Sequence, residues 1–320
     1  MLCGAEPVDV PRWGGDEEPD APTARMRAMN VAWPRKDPSA RFLGDPGVAD
    51  CFEPRQQAVS VLRRFGAGTH NICVPTYRDH AVVLRTHKLG EADRIITLLC
   101  RSRGKVRAVA RGVRRTSSKF GARLEPFTQV DIQLAVGRSL DVVTQVECLH
   151  PYGDPLTRDY GLYTAGETML EVADRLVAME HEPALQQYRL LVGALHVLTN
   201  GTTDGPRPAT MVLDSYLLRS LAVAGYAPVL DSCAHCGTEG QQEWFSPSVG
   251  GMVCSGCRPP GSARPEPESW AHLGALMSGD WPATRTVDPH VCHEVSGMVA
   301  AFSSWHLEHQ LRSLALVPRG

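Results

Sequence analysis

Nothing in the 320-residue chain approaches the roughly 20 consecutive apolar residues that cross a bilayer, and this argues against a membrane-spanning protein. A secretory start is missing too, because Glu6, Asp9, Asp16, Glu17 and Glu18, with several prolines, stand where a basic segment and an apolar run would be needed. There is no phosphate-cradling P-loop, no dinucleotide glycine fingerprint and no nucleophile elbow to support Ser-His-Asp catalysis. Net charge is nearly absent, at -2, so the whole-chain average gives no sign of a polyanionic partner. Cysteine is not scarce. Of ten, six (Cys3, Cys51, Cys73, Cys100, Cys148, Cys292) are scattered singly and four fall into two close pairs. That pattern fits a reducing compartment and a metal site better than a disulfide framework, and the chain is read as cytoplasmic.

Organisation changes twice along the chain. Residues 1–76 hold nine Pro and seven Gly and sustain no hydrophobic period, so they are expected to be a disordered extension, with a turn or two of helix at most over Gln56–Phe65. Translation starting later, at a GUG codon for Val74, is the other expectation for this stretch. From Tyr77 to about His150 the texture becomes short β-rich runs punctuated by glycine. Five strands are predicted, over Ala81–Thr86, Arg94–Cys100, Lys105–Arg111, Phe127–Val136 and Asp141–Cys148. In the third, Val106, Ala108 and Ala110 face one way and Lys105, Arg107 and Arg111 the other. After Pro151 the period becomes helical, with helices predicted over Asp159–Ala178, Glu182–Leu198 and Ala209–Ala224. Gly201 and Gly225 are placed as C-terminal caps. A Pro-rich linker, Arg258–Pro267, precedes two more helical stretches ending near Leu314.

The expected fold class is therefore α+β: a five-stranded OB-fold barrel over 77–150, then a helical domain over 151–320 with an insertion at about 231–258. The insertion carries Cys233-Ala-His-Cys236 and Cys254-Ser-Gly-Cys257, separated by 17 residues. Two C-x-x-C pairs at this distance match a structural zinc site, in which each pair forms a knuckle and the four thiolates complete a tetrahedron. Cys233, Cys236, Cys254 and Cys257 are the predicted ligands. Chance pairs and a redox dithiol are the competing readings, and His235 is a substitute ligand of lower rank. A catalytic zinc is disfavoured because four thiolates leave no open position. A deaminase needs an upstream H-x-E and a Pro before its cysteine pair, whereas here His306-Leu307-Glu308 lies downstream. His290/His293 and His306/His309 are read as helix-surface histidines.

The near-neutral total hides a local imbalance. Between Arg101 and Arg123 there are nine Lys or Arg and no acid, and residues 77–147 hold 14 bases against 7 acids. Concentrated positive charge on one strand face and the loop beyond it is the footprint of a phosphate backbone, although such runs are also found as plain solvated surface. The expected DNA contacts are Lys105, Arg107, Arg111, Arg114, Arg115, Lys119 and Arg123, with Phe120 stacking on an unpaired base.

These residues also carry a resemblance. The run Tyr77-Arg78-Asp79-His80-Ala81-Val82-Val83-Leu84 is followed by Leu89-Gly90-Glu91-Ala92-Asp93-Arg94-Ile95-Ile96-Thr97-Leu98 and then by Gly104-Lys105-Val106-Arg107-Ala108-Val109-Ala110-Arg111-Gly112. Together with Arg123-Leu124-Glu125-Pro126-Phe127 and the four cysteines, it resembles the RecO family of bacterial recombination mediators, over roughly 77–314. The 76-residue extension departs from that pattern. The resemblance implies binding to single- and double-stranded DNA, strand annealing, and work with RecR to load RecA onto strands coated by single-stranded DNA-binding protein. It also implies a nucleoid-associated place in the cytoplasm, a structural Zn2+ and no catalytic centre. The alternative is a zinc-ribbon RNA-binding or transcription accessory protein; a zinc-dependent hydrolase or deaminase stands third.

Overall fold

The structure is a computed structural model that describes residues 74–116, 118, 120–307 and 312–319. Residues 1–73 of the N-terminal extension, with its Gln56–Phe65 segment, and Lys119 and His309 lie outside the described residues; the last three residues of the expected extension are described, and Thr76 opens the first strand by pairing with Ala135.

Five strands close into a barrel: β1 (Thr76–Leu89), β2 (Asp93–Cys100), β3 (Gly104–Ala110), β4 (Thr128–Ala135) and β5 (Asp141–Pro151). They are ordered β1-β2-β3-β5-β4, as in an OB-fold. β1 is long enough to serve two neighbours. Its first half pairs with β4, Tyr77 opposite Leu134, and its second half with β2, Thr86 opposite Ile96, across a register shift between Val83 and Arg85. The expected start at Ala81 is therefore late by five residues, because pairing with β4 extends a segment that shows no alternation of its own. A short parallel contact, Ala108 with Asp141 and Val109 with Val142, closes the cylinder.

Alternation decides what fills it. Ala81, Val83, Ile96, Leu98, Val106, Ala108, Ala110, Val130, Ile132 and Leu134 all point inward and are fully buried. The Ala81-Val82-Val83-Leu84 run is buried on both faces for a different reason: Val82 and Leu84, with Leu99 of β2, leave the barrel and join the core of the helices. Barrel and helices thus share one apolar seam.

The helices are α1 (Gly153–Leu156), α2 (Tyr160–Leu176), α3 (Leu185–Asn200), α4 (Ala209–Val223), α5 (Pro267–Ser278) and α6 (Pro289–His306). Asp159 caps α2 by accepting from the Leu162 N–H. Gly201 ends α3 at φ 80. α4 is buried at every position from Met211 to Leu221, which makes it the axis around which the others pack. Two polar contacts tie it to its neighbours, Gln187 Nε2 of α3 donating to the Ser220 carbonyl at 2.8 Å and Ser215 Oγ to that of Leu276 at 2.7 Å. The penultimate residues return to this axis: Arg319 stands 3.2 Å from the buried carboxylate of Asp214.

α3 begins at Leu185, three residues after the expected Glu182. The preceding stretch is used elsewhere. Glu180 bridges to Lys105 in parallel, and the His181 N–H donates to the Lys105 carbonyl at 2.9 Å, so the α2–α3 loop lies along the edge of β3 and covers it. Gly104 makes this possible, because a Cβ there would stand 1.8 Å from the Glu182 carbonyl oxygen.

Candidate nucleic-acid interface and metal centre

Between α4 and α5 the chain makes two tight turns separated by a hairpin, β6 (Trp244–Ser246) with β7 (Gly251–Val253). In the first, Gly237 at φ 74 lets its N–H return to the Cys233 carbonyl at 2.8 Å. In the second, the N–H of Cys257 returns to Cys254 at 3.1 Å. The hairpin sets the two turns face to face, with the Ala234 N–H on the Met252 carbonyl at 2.8 Å. All four sulfurs lie within 4.8 Å of one another, and Cys236 Sγ is 3.9 Å from Cys254 Sγ. A tetrahedron with metal–sulfur bonds of about 2.3 Å has sulfur–sulfur edges of about 3.8 Å, so the cluster could hold a metal ion with little rearrangement.

Burial works against ionisation of Cys233, yet backbone N–H groups of Cys236, Cys254 and His235 outweigh it and bring its thiol down to about 6. Cys257 moves the opposite way, to about 12, because Cys254 and Cys236 crowd it with sulfur and charge. All four as thiolates, side by side, would need a central cation.

The basic segment divides into two sets. On the strand face, Lys105 Nζ donates to the Asp174 carbonyl at 2.8 Å and meets its carboxylate at 3.3 Å, with only 13% of its side chain exposed. Arg107 is paired with Glu180, and Arg85 with Asp174 at 3.0 Å. These acids belong to α2 and the loop after it. The strand-face cations therefore tie the barrel to the helices, which corrects the expectation that Lys105 is an open phosphate contact. Arg107, about half exposed, keeps an outer edge.

The loop after β3 differs. The Gly112 N–H is held by Asp93 at 2.7 Å and the Arg114 N–H by the Ala92 carbonyl at 3.0 Å. Val113 and Phe120 plug into the barrel core at either end. Phe120 is 4% exposed, so the stacking role expected of it is corrected: the ring anchors the loop. Arg111, just before these anchors, and Arg114 and Arg115 between them are exposed, and among the described residues none of the three meets a carboxylate. Arg123 is exposed just beyond, on a 3-10 turn over Gly121–Leu124. Sequence patterns did not mark Arg85, Asp174 or Glu180, because the partners stand 69 to 89 residues apart with no local signal linking them.

Of the four histidines read as helix surface, His290 is 3.6 Å from Glu266 and His306 packs against Phe302 with centroids 4.3 Å apart. No helix of the described residues is long and apolar enough to cross a membrane.

A closed five-stranded barrel bearing a cationic loop, sharing its core with a helical bundle that carries a tetracysteine cluster, defines a two-part architecture that sequence comparison places in a family. The models for the N-terminal and C-terminal parts of recombination protein O match residues 74–152 and 157–315. The chain belongs to the RecO family. It is 63% identical over 246 residues to the DNA repair protein RecO of Cutibacterium acnes, covering 77% of this chain and all of that one. Similar proteins of the same name come from Nocardioides sp., at 60% over 76% of this chain and 99% of the relative, and from Thermobifida fusca, at 57% over 76% and 98%. Membership puts the chain among DNA repair and recombination proteins. The relatives are named for repair and not for a catalysed reaction.

Proposed function

We propose that this protein is a recombination mediator that binds single- and double-stranded DNA through the loop after β3, anneals complementary strands, and acts with RecR to load RecA onto strands coated by single-stranded DNA-binding protein. The observation that carries the reading is the exposure of Arg111, Arg114 and Arg115 on a loop anchored at both ends and without acidic partners among the described residues. Two polyanions brought together repel one another. Fixed cations lower that cost and release condensed counterions, which adds a salt-dependent driving force. Arg123, at the far end of the same loop, extends the track, and Lys119 between them adds a cation by sequence.

We assign the tetracysteine cluster to a structural Zn2+ held by Cys233, Cys236, Cys254 and Cys257, which suits its all-sulfur donors and their spacing. Bound zinc supplies cross-linking and charge neutralisation, fixing the hairpin-bearing segment against α4 and α5. The protein is assigned to the cytoplasm, close to the nucleoid. A strand-annealing assay, with naked and protein-coated DNA across a salt series, tests the reading. Annealing that weakens steeply with salt is expected; a salt-independent rate, or binding to structured RNA in preference to DNA, overturns it.

A further inference from the structure

A cavity of about 820 Å3 opens at the seam between barrel and helices, lined in part by Arg123, Glu125, Phe127, Asp154, Tyr163 and Glu167. Its size falls in the range of small-molecule sites, about 300–1,000 Å3. The rings of Phe127 and Tyr163 meet edge to face, centroids 5.7 Å apart at 67°. Phe127 is buried, and it sits at φ 67, a conformation rare for a residue with a side chain. Space for its ring comes from Gly166, where a Cβ would lie 2.9 Å from Phe127 Cε1. Tyr163 stays 38% exposed, and Tyr160, three residues earlier on α2, is 63% exposed, so an aromatic surface continues outward from the cavity.

Of its charged lining, Glu125 is paired with Arg94 at 2.6 Å, and Arg123 and Asp154 also border it. Glu167 remains. Burial holds its carboxyl above the ordinary carboxylate range, and one oxygen accepts from the Tyr163 hydroxyl, which leaves acceptor capacity on the other. An aromatic wall, a half-buried acceptor and a cation at the mouth are the groups that receive a planar heterocycle carrying an amine and a flanking phosphate.

We propose that this seam cavity takes one unstacked nucleobase of single-stranded DNA, stacked on Tyr163, its exocyclic amine donating to Glu167 and its phosphate against Arg123. The inference rests on the DNA-binding reading above and adds a strand preference to it. Bases within a duplex cannot enter. Cytosine and adenine offer an amine where thymine offers a carbonyl, so oligo-dC binds more tightly than oligo-dT.

The test is fluorescence anisotropy of the full chain with oligo-dC, oligo-dT and a duplex of equal length. Oligonucleotides containing 2-aminopurine report stacking. Tyr163→Ala is expected to weaken oligo-dC binding about fivefold or more, to abolish the quenching of 2-aminopurine, and to leave duplex binding unchanged. Tyr163→Phe keeps the ring and is expected to bind as the unaltered protein does. Glu167→Gln, which can donate to a carbonyl, is expected to move the preference from dC toward dT. Unchanged dC binding by Tyr163→Ala overturns this inference and leaves the DNA-binding reading standing. Equal losses on single strand and duplex overturn it in favour of a structural role. An unaltered protein that binds neither DNA overturns both readings.

Discussion

The cations of β3 and those of the loop that follows it lie within a dozen residues of one another, yet they stand in different physical situations. Lys105 and Arg107 face acids delivered by α2 and the α2–α3 loop, while Arg111, Arg114 and Arg115 face solvent. The same side-chain charge thus holds the two halves of the molecule together in one place and stays available to a polyanion in the next. Local charge density marks where cations are; tertiary partners decide what they are for. The cysteine cluster is the limiting case, four donors that as thiolates would share one sign of charge.

The sharpest contrast comes from that cluster. Cys236→Ser, or removal of metal by a chelator, is expected to lower the melting temperature and the zinc content together and to affect DNA binding only secondarily; an unchanged melt with unchanged zinc breaks the structural assignment. Next in size, alanine at Arg114, Arg115 and Lys119 should reduce the slope of log affinity against log salt by about 2 to 3 and lower affinity on the order of tenfold or more at low salt, with no change in melting temperature. Affinity unaffected by the substitution removes the loop from the interface.

Asp214 offers a pH test of buried charge. Burial pushes its carboxyl up to about 6, against the pull of Arg319. The folded state therefore holds this proton more tightly than the unfolded chain, and the stability it contributes is present near pH 4 and lost as pH rises through 6. The change is about 3 kcal/mol. Urea melts between pH 4 and 7 should show the decline, and Asp214→Asn should flatten it. On the barrel, Lys105→Met should cost about 1–3 kcal/mol of stability, because it strips a charged donor from the Asp174 carbonyl and carboxylate, with little change in DNA affinity. Arg107→Ala, at a half-exposed pair, should cost less than about 1 kcal/mol. If the two β3 variants instead lose DNA affinity as the loop variant does, the division between the two sets of cations fails.

Much of this was legible in the sequence because it is periodic. Alternation from Lys105 to Arg111 marked β3 and its inward set, helical spacing marked α2 and α4, and the cysteine spacing marked the cluster. What escaped was set by contacts distant in sequence. The start of β1 depends on pairing with β4, and the start of α3 was displaced because Glu180 and His181 lie along β3. The β6–β7 hairpin, three residues a side, is too short to show a period. Phe120 was misassigned because an aromatic in a basic loop reads the same whether it caps a core or meets a base. Lys119 lies outside the described residues.

Gly104 has a further consequence. The α2–α3 loop lies against β3 only because residue 104 carries no methyl group, which would otherwise sit 1.8 Å from the Glu182 oxygen. Alanine there is a wedge: it pries the loop away and carries Glu180 off with it. The Arg107 guanidinium would then turn toward water, and any path a polymer takes along this edge of the barrel would be reset by a single carbon atom.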